Sequence, residues 1–107
     1  MRILPDECVN PKLRLAFPGD VVRTVAEMGW RSLTNGRLME IAAPQFDVFI
    51  TLDRNLLFQN PTGELQWGIV VLIARFNDIA TYRPHFSEIR DVVRRTRRGQ
   101  VNTVRTA

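Results

Sequence analysis

Two apolar runs of strand length constrain the fold of this chain more than any other feature. "DVFITL" at residues 47–52 and "GIVVLIA" at residues 68–74 are almost uninterrupted by polar side chains. A strand that is apolar on both sides of its pleat is typically covered on both faces, as in a parallel sheet between helices. Segments with helix signals alternate with these runs, which predicts crossover units. The sequence therefore predicts a three-layer α/β domain with a small, mainly parallel sheet of four to five strands.

The other elements are predicted from capping and turn residues. Asn10 with Pro11 begins one helix, Thr34 or Asn35 caps a second, and Gly99 ends the longest one. The predicted helices span residues 10–17, 35–43 and 83–99, and a short helix opens the segment 56–66. The remaining predicted strands span residues 2–5, 21–25 and 100–106, the last of them at an edge of the sheet.

Composition narrows the class of protein. The chain has 107 residues, 45% of them hydrophobic and 24% charged, which predicts a single globular domain over residues 1–107. No apolar stretch approaches the roughly 20 residues that span a bilayer, and "MRILPDE" turns acidic too early for a secretory signal. One cysteine excludes an intrachain disulfide and a cysteine-built zinc site. We expect a cytoplasmic protein with no membrane partner.

The positive charge is concentrated near the C-terminus. The formal net charge is +4, and the stretch from Arg94 onward holds five arginines and no acid. Such a basic segment is typical of contact with nucleic acid or with an acidic partner. It is equally typical of a solvated helix end whose arginines complement the helix dipole.

Acidic residues follow two of the predicted strands. Asp6 and Glu7 follow the first strand, and Asp53 follows the third. Because parallel strands end at the same edge of a sheet, where ligand sites of such folds lie, the three acids can converge. Clustered carboxylates repel one another unless a cation lies between them, and oxygen ligands suit Mg²⁺ or Mn²⁺. The alternative is that Asp53 caps a helix and that the other two acids lie in a solvated turn.

Two architectures place acids at these positions. A phosphoacceptor receiver domain also needs a hydroxyl residue after its fourth strand and a lysine after its fifth. Here Ala74, Arg75 and Phe76 follow the fourth strand, and Lys12 is the sole lysine. The other architecture is a metal-dependent nuclease.

Four segments in order carry a family resemblance: "MRILPDECVNPKL", "VVRTVAEMGW", "NGRLMEIAA" and "DVFITLDRNLLFQN". In spacing and order they resemble the short PIN-like proteins of bacteria, regarded as toxins of VapBC-like toxin–antitoxin pairs. The resemblance covers roughly residues 1–93. It implies an α/β/α fold that hydrolyses RNA with Mg²⁺ or Mn²⁺, together with a small antitoxin protein as partner and a possible homodimer.

By position, the resemblance implies roles for individual residues. Asp6, Glu7 and Asp53 match the acids that bind metal and act in catalysis. A polar run matches residues that contact the substrate: Arg54, Asn55, Gln59 and Asn60. Arg37 stands where relatives usually have an acid, so Glu40, one helical turn on, is a substitute metal ligand or a surface charge. Asn55 likewise replaces a second acid.

These departures keep two alternatives open. One is a catalytically degenerate PIN-like binding module in which the Arg37 guanidinium pairs with Asp6 or Asp53. The other is an interaction protein whose apolar surface serves a dimer or an antitoxin. Trp30 and Trp67 either stack on bases or close an edge of the core or a partner interface.

Three further features of the sequence concern single residues or their spacing. Thr51 points to the same side of its strand as Asp53, so it either orients that carboxylate or packs. Cys8 is expected to be a small packing residue. The arginines at 90, 94, 97 and 98 recur at helical spacing, so they are predicted to share one helix face.

Overall fold

The structure is a computed structural model that describes residues 1–54 and 66–106. Its centre is a sheet of five parallel strands in the order β2-β1-β3-β4-β5. The strands are β1 (Arg2–Pro5), β2 (Val21–Val22), β3 (Val48–Thr51), β4 (Gly68–Ile73) and β5 (Val101–Arg105). The predicted α/β class, the parallel sheet and the edge position of the last strand are confirmed. The predicted short helix and loop at 56–66 lie almost entirely outside the described residues.

Among the described residues, three α-helices and two 3-10 helices connect these strands. The α-helices are α1 (Asn35–Ala42), α2 (Ile79–Tyr82) and α3 (Phe86–Arg95), and the 3-10 helices span Pro11–Ala16 and Arg83–His85. The predicted caps are present, because Asn10 Oδ1 accepts from the Lys12 N–H and Thr34 Oγ1 accepts from the Arg37 N–H. The helix predicted at 10–17 is a 3-10 helix that spans Pro11–Ala16.

Apolar side chains cover both faces of the sheet, as the two apolar runs predicted. On one face, side chains of the first 3-10 helix and of α3 pack on the central strands, with Leu13 and Ile89 fully buried. On the other face, Leu38 and Ala42 of α1 pack on Phe49 and Trp67. The strands β3 and β4 are therefore enclosed between two layers, which accounts for their continuous apolar sequence.

The second strand is shorter than predicted. The strand expected at 21–25 ends at Val22, because Thr24 and Glu27 form a reciprocal cap. Thr24 Oγ1 accepts from the Glu27 N–H at 3.1 Å, and Glu27 Oε1 accepts from the Thr24 N–H at 3.0 Å. This pairing is the capping box of a threonine followed three residues later by a glutamate. It turns the chain into a helical turn.

The last helix is also shorter than predicted. α3 ends at Arg95, because Thr96 adopts an extended conformation and its hydroxyl donates to the Val92 carbonyl at 2.6 Å. Gly99, expected to end the helix, instead has φ of 87° in the turn that leads into β5. The arginines at 97 and 98 therefore lie beyond the helix, and the prediction that they share a helix face with Arg90 and Arg94 is wrong.

The chain reverses its direction of travel across the sheet between β1 and β3. The connection after β1 leads outward to β2, and the connection after β3 leads to β4 on the opposite side. In doubly wound sheets, ligands bind in the crevice outside the carboxyl ends of the strands at this switch point. Within the described residues, the helices are too short or too polar to span a membrane.

Candidate functional site at the carboxyl edge of the sheet

Two of the predicted acids meet at the switch point. Asp6 directly follows β1, and its N–H donates to the Ile50 carbonyl of β3 at 2.8 Å. Asp53 follows β3 by two residues. Both acids line one small cleft, together with Asn35 at the start of α1 and the apolar side chains Leu38 and Phe49. The predicted convergence of the strand-end acids is therefore present for Asp6 and Asp53.

Thr51 connects the two acids. Its side chain is fully buried, and its hydroxyl donates to Asp6 Oδ2 at 2.9 Å. Thr51 Oγ1 also accepts from the Asp53 N–H at 3.1 Å. Thr51 therefore orients the carboxylate of Asp6 and holds the backbone of Asp53.

Two neighbours in sequence complete the contacts of Asp6. The Glu7 N–H donates to Asp6 Oδ1 at 2.8 Å, and Cys8 Sγ lies 3.5 Å from Asp6 Oδ2. Cys8 was expected to be a small packing residue, but it is exposed, and its thiol faces Asp6 and Thr51. Partial burial of the sulfur raises the pKa of the Cys8 thiol, and the charge of Asp6 acts in the same direction. The thiol is thus protonated at neutral pH and serves as a weak hydrogen-bond donor.

Glu7 lines a second cleft next to the one that holds Asp6 and Asp53. That second cleft is lined by Asp6 and Glu7 from the end of β1 and by Thr24 and Arg31 from the segment after β2. Glu7 is exposed. Asp6 lines both clefts and therefore joins them.

Asn77 joins the loop after β4 to the loop after β1, which carries Asp6 and Glu7. The sequence gave no reason to single out this asparagine. Its Nδ2 donates to the Cys8 carbonyl at 2.6 Å, and its Oδ1 accepts from the Asn10 N–H at 3.0 Å. The Asn77 Oδ1 also accepts from the Tyr82 hydroxyl at 2.8 Å. These contacts fix the backbone on both sides of the switch point.

Tyr82 is a buried residue that stabilises this junction through its hydrogen bond to Asn77. Its side chain is fully buried, and burial, with smaller contributions from Cys8 and Asp78, raises the pKa of its hydroxyl to about 12. The hydroxyl therefore stays protonated and available as a donor to Asn77. The single tyrosine of the chain thus has a defined polar partner, as buried tyrosines usually do.

The remaining predicted site residues are spread more widely. Arg54 is exposed directly after Asp53, and Asn55, Gln59 and Asn60 lie outside the described residues. Glu40 borders a cleft at the opposite edge of the sheet, together with Arg2.

The expected pairing of Arg37 with an acid of the site is replaced by a local contact. Arg37 Nη1 lies 2.9 Å from Glu40 Oε2, three residues on in α1. Its charge is therefore compensated on the exposed surface of α1 by the residue proposed as a substitute metal ligand.

The carboxylate oxygens at the switch point fit a magnesium site that is shared with water and a substrate phosphate. Among residues 1–54 and 66–106, no group of three or more His, Cys, Asp or Glu side chains is placed to hold a metal ion. Mg²⁺, however, is commonly held by one or two carboxylates together with water and substrate phosphates. Asp6 and Asp53 fit that shared arrangement. Two carboxylates leave most of the coordination positions of such an ion to water and substrate.

The fold and this site define a doubly wound α/β protein with two carboxylates at its switch point. Comparison of the chain with protein-family models, with curated proteins and with solved structures gave no match.

Proposed function

We propose that the chain is a metal-dependent ribonuclease of the PIN-like kind. The observation that supports this proposal is the meeting of Asp6 and Asp53 in one cleft at the switch point, with Thr51 bonded to both. The oxygen donors suit Mg²⁺ or Mn²⁺. The resemblance of the four sequence segments to short PIN-like proteins supports RNA as substrate and a small antitoxin protein as partner.

The residues around the acidic cleft would each have a task in such a reaction. Asp6 and Asp53 would hold the ion, which when bound supplies charge for the scissile phosphate and lowers the pKa of water. Thr51 and the Glu7 N–H hold both oxygens of the Asp6 carboxylate, so that this group is oriented before substrate arrives. Preorganised charge of this type is usually the largest contribution to catalysis. Arg31 and Arg54, both exposed beside the acids, would contact the RNA backbone.

The direct test is cleavage of RNA by the purified chain in Mn²⁺. We expect cleavage that a chelator abolishes and that Asp53→Asn reduces by roughly 100-fold or more, the loss typical of removing a charge-stabilising group. Asp47→Asn is the matched control, because Asp47 lies just before β3, at the amino end of the same strand. Its carboxylate accepts from the Arg2 N–H. Cleavage that survives the chelator, or that both variants reduce equally, would refute the assignment.

A second test uses the sharing of the metal with a substrate phosphate. Calorimetry should show weak Mn²⁺ binding by the chain alone and tighter binding when a non-hydrolysable RNA analogue is present. Asp6→Asn should abolish the difference between the two titrations. Equal affinity with and without the RNA analogue would instead indicate a complete metal site.

The alternative is a binding module that keeps the fold without cleaving RNA. It is favoured by the finding that the described residues include no three-acid cluster. Pairing of Arg37 with Glu40 removes one argument for it, because the guanidinium does not need an acid of the site to balance its charge. Binding of RNA without turnover in Mn²⁺, unchanged in Asp53→Asn, would select this alternative.

Receiver domains share the strand order of this sheet, so topology alone does not separate them from the proposal. The residues that follow β4 and β5 do separate the two classes. Ala74 follows β4, and Lys12 lies on the first 3-10 helix, away from the end of β5. Phosphotransfer to Asp53 would therefore have neither the hydroxyl nor the lysine that such a site uses.

A further inference from the structure

An exposed aromatic side chain lies at the same edge of the sheet as the acids. Phe76 is 61% exposed, more than any other large hydrophobic side chain in the part of the chain that the structure describes. It lies in the loop after β4 and directly follows the exposed Arg75. Burying a phenylalanine side chain is favourable because it removes apolar surface from water. The exposure of Phe76 therefore calls for an explanation.

The loop that carries Phe76 is held in place by the residue that follows. Asn77 bonds to the Cys8 carbonyl, to the Asn10 N–H and to the Tyr82 hydroxyl. The first two contacts belong to the loop that begins with Asp6. Phe76 is therefore next to a fixed junction with the acidic loop.

The residues next to Phe76 in the sequence favour one kind of partner over another. A protein-binding surface normally presents a contiguous apolar patch, whereas the neighbours of Phe76 in sequence are Arg75, Asn77 and Asp78. Asp78 is engaged in capping α2, because its Oδ1 accepts from the Thr81 N–H at 2.7 Å. A single ring beside an arginine is instead the arrangement that binds single-stranded nucleic acid, by stacking on a base and pairing with a phosphate.

The two tryptophans do not offer this surface. Trp67 is buried and stacks on Phe49 with ring centroids 4.9 Å apart, and Trp30 packs edge-on against Phe46. Trp67 belongs to the core and Trp30 is partly buried against it, which agrees with the prediction that they close an edge of the core.

We propose that Phe76 stacks on a nucleobase of single-stranded RNA bound at the switch point, and that Arg75 contacts an adjacent phosphate. This inference rests on the proposed function, because it takes the RNA at the acidic cleft as given. In this arrangement the acids contact the scissile phosphate, and the loop after β4 fixes a nucleotide beside it.

The test is the affinity of the full chain for a labelled single-stranded RNA of about ten nucleotides, a length within the usual site sizes, by fluorescence anisotropy. A chelator is present so that no cleavage occurs. Phe76→Ala should weaken binding roughly 5- to 150-fold, the range for loss of one base–aromatic stack. Phe76→Trp should retain binding, because the larger ring also stacks. Leu15→Ala is the matched control, since Leu15 is 56% exposed on the first 3-10 helix.

RNAs with one abasic nucleotide at successive positions separate stacking from a structural effect. At the stacked position, the abasic RNA should bind the native chain as weakly as intact RNA binds Phe76→Ala, and the variant should lose nothing further. If Phe76→Ala binds within about twofold of the native chain, or loses affinity equally for every abasic RNA, the stacking proposal is refuted while the ribonuclease proposal stands. Loss of self-association with unchanged RNA binding would assign Phe76 to a protein contact and also refute stacking. If the native chain binds no RNA in chelator or in Mn²⁺, the proposed function itself fails.

Discussion

Thr51→Val tests whether one hydroxyl holds the site together. Valine keeps the shape of threonine, so the change removes the hydrogen bonds to Asp6 and from Asp53, together with a weak contact to the Cys8 thiol, and little volume. The bond to the Asp6 carboxylate has a charged acceptor and contributes about 1.5–3 kcal/mol, and the bond from the Asp53 N–H contributes about 0.5–1.5 kcal/mol. The added methyl recovers about 0.8 kcal/mol. Water also replaces part of the loss, because Asp6 is half-buried.

The net expectation is a loss of about 2 kcal/mol in the free energy of unfolding, measured by urea denaturation. This corresponds to a melting temperature lower by about 8 °C for a domain of this size. Thr96→Val is the matched control, because Thr96 is also buried and also makes two hydroxyl hydrogen bonds, to the Val92 carbonyl and from Asn102. It precedes β5 at the opposite edge of the sheet.

The two variants should differ in function. Both should lose stability, whereas only Thr51→Val should reduce RNA cleavage, by about 10- to 100-fold as for residues that orient metal ligands. Stability within about 0.5 kcal/mol of the native chain would show that the hydroxyl does not hold Asp6. Equal cleavage by the two variants at a temperature where both are folded would refute the role of Thr51 in the site.

Three further outcomes follow from the described geometry. The sole tyrosine, Tyr82, should titrate near pH 12 by tyrosinate absorbance. Because its folded-state pKa lies above the unfolded value of about 10, stability should fall as pH rises from 10 towards 12, and Tyr82→Phe should lack that fall. Gly68→Ala should lower the free energy of unfolding by about 1–3 kcal/mol in urea denaturation, since the new Cβ would lie 2.7 Å from the Thr96 methyl; Gly36→Ala, with open space around it, should not. Cys8 should react with iodoacetamide more slowly in the folded chain than in urea at the same pH, because its thiol pKa is raised; equal rates would contradict that shift.

The sheet and the convergence of Asp6 with Asp53 follow from local patterns. Continuous apolar runs define buried strands, strand alternation with helices defines parallel pairing, and parallel strands end together. The two-residue period of a strand also placed Thr51 on the side of Asp53. These inferences succeeded because each depends on a few adjacent residues.

The junction at Asn77 could not be predicted in the same way. Its partners Cys8 and Asn10 lie 69 and 67 positions earlier in the chain, and no local pattern marks an asparagine in a loop as the residue that joins two others. The early end of α3 has a similar cause, because Thr96 leaves the helix where its hydroxyl bonds to Val92 and to Asn102 of β5. Tertiary contacts of this kind override the helical spacing of the arginines that follow.

A larger cleft opens at the amino edge of the sheet, and its charges show why size does not identify the site. There, Arg2 Nε donates to the Gln45 carbonyl, Arg97 donates to the Arg94 carbonyl, and Arg98 bonds to Gln66. These guanidinium groups thus have partners within the chain that would have to be replaced if a ligand bound there. At the carboxyl edge, by contrast, the internal hydrogen bonds orient the Asp6 carboxylate without neutralising its charge, because its donors are an N–H, a hydroxyl and a thiol. A carboxylate fixed by neutral donors keeps its attraction for a cation, which supports the smaller cleft as the proposed metal site.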